Sequence, residues 1–235
     1  MFKKIYKEKM GRSDLGWLES RFHFSFAEYR NPNNINFGVL RVLNDDIIHP
    51  QSGFDMHPHN NMEIITYIID GELTHKDSMG NEETLSRGEV QYMSAGDGIY
   101  HSEHNLHPSK DLRLLQIWII PPHKNLPKLY GSYRFEKEER ENRLLHIVSS
   151  LDGTAKIRIH QDVNFYVGEL DASKTVQFEI DKGRQVYFVQ IEGNSEINGI
   201  ELSDGDAMEI AQEPQLTINA LIRSHFLFIE MQEEK

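Results

Sequence analysis

An all-β fold in two strand-rich halves is what this sequence predicts. Short β-branched and aromatic runs recur at close spacing. Gly, Asn and Asp turns separate them, and most of the chain does not read as amphipathic helix. In the first half the predicted strands are residues 37–43, ended by Asn44-Asp45-Asp46; residues 64–69; residues 89–93 after Gly88; and the apolar run 112–120, closed by Pro121-Pro122. Asp70-Gly71 reads as a hairpin-like turn after 64–69, with residues 72–75 as the returning strand. In the second half, residues 144–148, 164–170, 175–180, 186–191, 195–197, 207–210, 215–218 and 226–230 repeat the same rhythm. Regular short strands of this kind predict a sandwich or barrel, here twice over.

The prolines between Pro121 and Pro127 cannot continue a central strand, and the charged run Phe135 to Glu141 reads as one helical turn or a solvated linker. The expected division is therefore a first domain over 1–125, a linker over 126–143 and a second domain over 144–235. Either half is long enough to bury a core.

Composition narrows the function. The net charge of −12 repels phosphate backbones, which argues against general nucleic-acid binding. Zero cysteines remove disulfides, thiolate nucleophiles and Cys-based zinc or iron–sulfur sites together. The start, MFKKIYKEKM, has charge but no apolar core for a secretory signal, and no apolar stretch approaches ~18 residues. A cytoplasmic monomer, without membrane attachment, is the expectation. Twelve histidines in such a chain are the compositional oddity.

Their placement points to a metal. His57-Pro58-His59 and His101-Ser102-Glu103 each put two ligands at i and i+2, which on a strand share one face. On neighbouring barrel strands the two pairs aim three imidazoles and one carboxylate at a common interior point. Such nitrogen and oxygen donors suit Fe(II), Mn(II), Co(II), Ni(II) or Zn(II). An isolated His-x-His is more often an accident of the surface; the two pairs together, in a cysteine-free predicted barrel, favour the metal. His104 and His107 share a helical spacing with His101 that Asn105 and Pro108 disfavour. His23, His75, His123, His146, His160 and His225 are expected as surface or hydrogen-bonded structural residues.

Gly53 to Glu63, followed by Gly71, resembles the first cupin motif, and Gly88, Gly96, His101 and Asn105 resemble the second. Ser94 stands where many cupins have proline, and His101 lies two residues further from Gly96 than usual. Those departures are similar to the pirin branch. So are Glu63-Ile64-Ile65-Thr66-Tyr67, the run His75 to Asn81, Gly88 to Met93, Ala95 to Glu103 and Ile159-His160-Gln161-Asp162. The match is specific over residues 37–122 and thinner beyond.

The resemblance implies two tandem cupin barrels (double-stranded β-helix, or jelly-roll), with metal in the first and none in the second. It implies one divalent ion, iron(II) first and Mn, Co, Ni, Cu or Zn as alternatives, on His57, His59, His101 and Glu103. It implies a quercetin 2,3-dioxygenase that opens a flavonol with O2, or else a non-enzymatic regulator that binds a partner protein. In many cupins the first-motif glutamate is a ligand. In pirins that role moves to the Glu103 position, which leaves Glu63 an outer or purely structural part. Glu103 and Glu63 are the candidate proton acceptors. The second barrel is expected to be packed around Phe165, Phe178, Tyr187 and Phe188.

Overall fold

A computed structural model describes residues 1–233. The strands are, in order, β1 (Phe2–Ile5), β2 (Gly11–Asp14), β3 (Leu18–Phe22), β4 (Leu40–Ile48), β5 (Ser52–His59) and β6 (Glu63–Asp70). There follow β7 (Glu72–Asp77), β8 (Glu82–Ser86), β9 (Glu89–Ser94), β10 (Ile99–Asn105), β11 (Leu112–Ile119) and β12 (Leu129–Arg134). After one helical turn, α1 (Lys137–Arg140), come β13 (Leu145–Ser150), β14 (Ile157–Ile159), β15 (Val163–Leu170), β16 (Thr175–Glu179) and β17 (Arg184–Glu192). The last are β18 (Ser195–Ile197), β19 (Ile200–Leu202), β20 (Ala207–Ala211), β21 (Gln215–Ala220) and β22 (Ser224–Gln232). Among the described residues no helix is long and apolar enough to cross a membrane.

The chain forms two compact units. One holds Met10–Phe135 with Ile159–Gln161; the other holds Met1–Lys9, Glu136–Arg158 and the chain from Asp162. In the first unit a seven-stranded sheet has the order β12-β9-β6-β11-β4-β3-β2, and a four-stranded sheet the order β5-β10-β7-β8. Successive strands from β4 to β7 alternate between the sheets, which is jelly-roll wiring. Asp70-Gly71 is therefore a corner and not a hairpin: β6 pairs with β9 and β11, while β7 pairs with β8 and β10. Glycine is required there because φ is 82° and a Cβ would lie 2.4 Å from the Asp111 carbonyl oxygen.

The strand expected to stop at Asn44-Asp45-Asp46 instead runs on through them to Ile48. Asp45 is bridged by Arg113 through Nε and Nη2, at 2.9 and 2.6 Å. Asn44 and Asp46 are buried polar residues. Polar residues of this kind read as a loop in sequence yet belong to the wall of a barrel whose interior is polar in part.

That interior has layers. Leu18, Ile48, Ile68, Leu73, Leu85, Leu112 and Leu114 form one apolar cluster, and Ile64, Met93, Ala95 and Ile99 another. Between them Asn44, Gln116, Thr66 and Gln91 stand side by side across β4, β11, β6 and β9. On the smaller sheet Glu103, His75 and Glu83 are in register across β10, β7 and β8. Thr66 and Gln116 both donate to Glu103, so the two polar rows meet.

The second unit repeats the plan with sheets β1-β20-β17-β22-β15-β13-β14 and β16-β21-β18-β19. Its first strand comes from the other end of the chain: Phe2 to Ile5 pair with Ile210 to Ala207. Phe188, Phe226 and Phe228 are core, with Phe178 packed against them. Phe165 and Tyr187 are also buried but lie outside that cluster, because they fall on the opposite strand parity from Tyr166 and Phe188. The charged run 135–141 does form a helical turn, capped by Glu136 and Glu139, and its Arg140 is buried against Glu169 at 2.8 Å.

Candidate metal centre

The site is built by β5 and β10, which pair with His57 opposite His101. Alternation along β5 brings His59 to the face of His57. A register shift follows: β10 advances two positions, from His101 to Glu103, while the partner strand advances three, from His57 to Phe54. One ligand atom from each of His57, His59 and His101 lies within 4.8 Å of the other two. The ring centroids are 4.4 to 4.8 Å apart, and His59 also meets Trp118 edge to face at 4.8 Å.

The nitrogens are aimed as well as near. His57 Nδ1 donates to the carbonyl oxygen of Asp55 at 2.7 Å, leaving its Nε2 3.0 Å from Nε2 of His101. Burial, reinforced by the neighbouring rings, pushes His59 and His101 down to about 3, so both stay neutral with a lone pair available. Neutral imidazoles converging on one point fit a divalent transition metal.

Glu103 is buried on the same strand but outside that cluster. Its Oε2 accepts from Gln116 Nε2 at 2.8 Å, and its Oε1 from the Thr66 hydroxyl at 3.3 Å. Glu63 stands elsewhere. It has the opposite parity on β6 from Thr66, the residue that reaches Glu103. Tyr92 donates to its Oε1 at 2.9 Å, and the amides of His160 and Gln161 donate at 2.7 and 2.9 Å. This carboxylate fastens the segment 159–161 to β6, and among the described residues its hydrogen bonds include none to His57, His59 or His101. His104 meets Asp55 at 3.2 Å, and His107 accepts the amides of Ser109 and Lys110, so neither joins His101.

Sequence reasoning missed His75. It is fully buried, pairs with Glu103, and places its Nε2 3.2 Å from Nδ1 of His101. Its parity on β7 was legible, but which strand would lie beside β7 was not.

Asp46 completes the acidic interior. Burial pushes its carboxyl up to about 7, with Asp45 and Glu103 adding to the rise and a hydrogen bond from Ser20 opposing it. The folded value exceeds the unfolded 3.8, so this contribution to stability is full below the unfolded value and is lost as pH rises through about 7. In the metal-free protein, Asp46→Asn should therefore gain stability relative to wild type steadily from pH 4 to 8, measured by urea unfolding. An unchanging difference would show that Asp46 ionises normally.

Comparisons agree with this architecture. A family model described as Pirin matches residues 4–119, and one described as Quercetinase C-terminal cupin domain matches residues 146–231. The two barrels are thus tandem cupin barrels. A curated relative named Quercetin 2,3-dioxygenase, from Escherichia coli K12, is 39% identical over 221 residues, covering 94% of each chain. A Pirin-like protein from Caulobacter vibrioides is 41% identical over 224 residues, covering 95% of this chain and 96% of the relative. The crystal structure of the bacterial pirin YhhW from Escherichia coli in complex with nickel(II) superposes with a TM-score of 0.92 at 36% identity, covering 100% of both chains. With the two barrels, the histidine trio and relatives matched nearly end to end, the chain belongs to the pirin family.

Proposed function

We propose that this protein is a metal-dependent dioxygenase that opens a flavonol such as quercetin with O2. The observation that carries the proposal is the convergence of His57, His59 and His101 on one point in a barrel whose relatives include a quercetin 2,3-dioxygenase. His57, His59, His101 and Glu103 would hold one divalent ion, with iron(II) our first choice. Oε1 of Glu103, whose hydrogen bond among the described residues is the 3.3 Å contact with Thr66, would be the oxygen that turns to it. A bound ion would lower the pKa of a flavonol hydroxyl and present the substrate as its anion.

The chain's own residues do the rest. Glu103 is the proton acceptor, since Glu63 is committed to Tyr92 and the amides of residues 160 and 161. Gln116 anchors the other oxygen of Glu103 and so limits how far the carboxylate can turn. Trp118, edge to face with His59, sets aromatic surface against the trio.

The test is aerobic cleavage of quercetin. Product and carbon monoxide should form only with O2 and should be lost with a chelator. Equal product without O2 would defeat the dioxygenase reading, and metal binding with no turnover would favour a non-catalytic, metal-responsive regulator.

A further inference from the structure

We propose that His75 is a positioning residue for the metal centre, holding His101 in the tautomer whose Nε2 lone pair faces the ion. The inference rests on the metal site proposed above and adds a residue outside its ligand set. The three rings form a chain of hydrogen bonds with one fixed end. The Asp55 carbonyl oxygen only accepts, so neutral His57 carries its proton on Nδ1 and presents a bare Nε2. Without an ion, the 3.0 Å contact between the two Nε2 atoms then needs its proton on His101. His101 Nδ1 is left bare, and the 3.2 Å contact beyond it is donated by Nε2–H of His75.

A protonated nitrogen offers no lone pair. For His101 Nε2 to serve as a ligand, its proton must be given up there and one taken on at Nδ1. In that tautomer Nδ1–H donates to His75 Nε2, which must itself be bare, with the His75 proton now on Nδ1. Each ring loses one proton and gains one by exchange with water, so both remain neutral throughout. The two tautomers change together, and the same 3.2 Å contact is kept with its direction reversed.

His75 is suited to this. Its Nδ1 has no hydrogen-bond partner among the described residues, so no third group dictates its tautomer. Its ring is fully buried on β7 and lies nearly parallel to Tyr130, with centroids 5.3 Å apart and 22° between planes. An outer partner fixed in place in this way orients the ligand ring and raises its basicity.

Two variants and one spectrum test the proposal. Co(II) titration should show His75→Phe binding about 10–100-fold more weakly than wild type, with altered d–d absorption and with the β-rich circular dichroism of the metal-free protein retained. His75→Gln should recover most of that affinity, because its carbonyl oxygen reaches the place of Nε2 and still accepts. Long-range 1H–15N spectra of wild type should show His101 protonated on Nε2 without metal and on Nδ1 with Zn(II). Wild-type affinity in His75→Phe, equal loss in His75→Gln, or one unchanging His101 tautomer would each overturn the proposal. If wild type itself binds no Co(II), the metal reading fails and this inference with it; tight wild-type binding beside an unaffected His75→Phe defeats this inference alone.

Discussion

Replacing His101 by alanine is expected to lower divalent-metal affinity by more than the ~10–100-fold that loss of an outer partner costs, and to abolish any turnover that needs the metal. His101 is the hub of the cluster: its Nε2 faces His57, its Nδ1 faces His75, and its ring meets His59. His57→Ala should behave the same way, because it removes a ring of the trio whose tautomer is pinned by the Asp55 carbonyl. Both variants should keep the β-rich circular dichroism of wild type. The barrel is held by its apolar clusters, not by an ion, and truncation leaves only one or two ring nitrogens without partners, at about 1–3 kcal/mol each. Elemental analysis and Ni(II) titration check this. Full metal occupancy in both variants would remove the histidines from the site.

The second large effect is on stability. Arg140→Ala should cost about 3–5 kcal/mol, because it strands the buried carboxylate of Glu169. Both side chains of the pair are at least 95% buried. Arg223 also pairs with Glu169, at 3.4 Å, but from a side chain that is 55% exposed, so this contact recovers little. The double replacement Arg140→Met, Glu169→Leu should lose much less than the single one, since no charge is then left unpaired. Urea unfolding of the two variants distinguishes these outcomes. A single-variant loss no greater than that of the double would mean the pair is solvated.

Much of the second barrel was legible in the sequence because its central strands are nearly continuous buried apolar runs bounded by turn residues and its core is apolar. Residues 195–197 are a strand as expected, and 175–180 and 207–210 differ from the observed strands by one residue. The first barrel was harder at one kind of place. Asn44-Asp45-Asp46 have turn-forming residue types, yet Asn44 belongs to a polar row with Gln116, Thr66 and Gln91 that faces Glu103. The residues that make the interior fit for chemistry are those that hide a strand from a hydrophobicity pattern. The first strand was invisible for another reason: Phe2 to Ile5 find their partners about 200 residues away, and nothing local announces such a pairing.

The sequence by itself determined the face-sharing pairs His57/His59 and His101/Glu103, because strand alternation is a local property of the backbone. It also made any metal chemistry here depend on imidazole and carboxylate, because there is no cysteine. Only the tertiary structure decided which strands are neighbours. That choice set His57 opposite His101, brought His75 behind it, and drew the oxygens of Glu103 to Thr66 and Gln116. It also turned Glu63, three residues before Thr66, onto Tyr92 and the amides of residues 160 and 161. Parity along a strand is fixed by covalent geometry and period two, whereas the partner across a sheet is fixed by long-range burial that no short segment encodes.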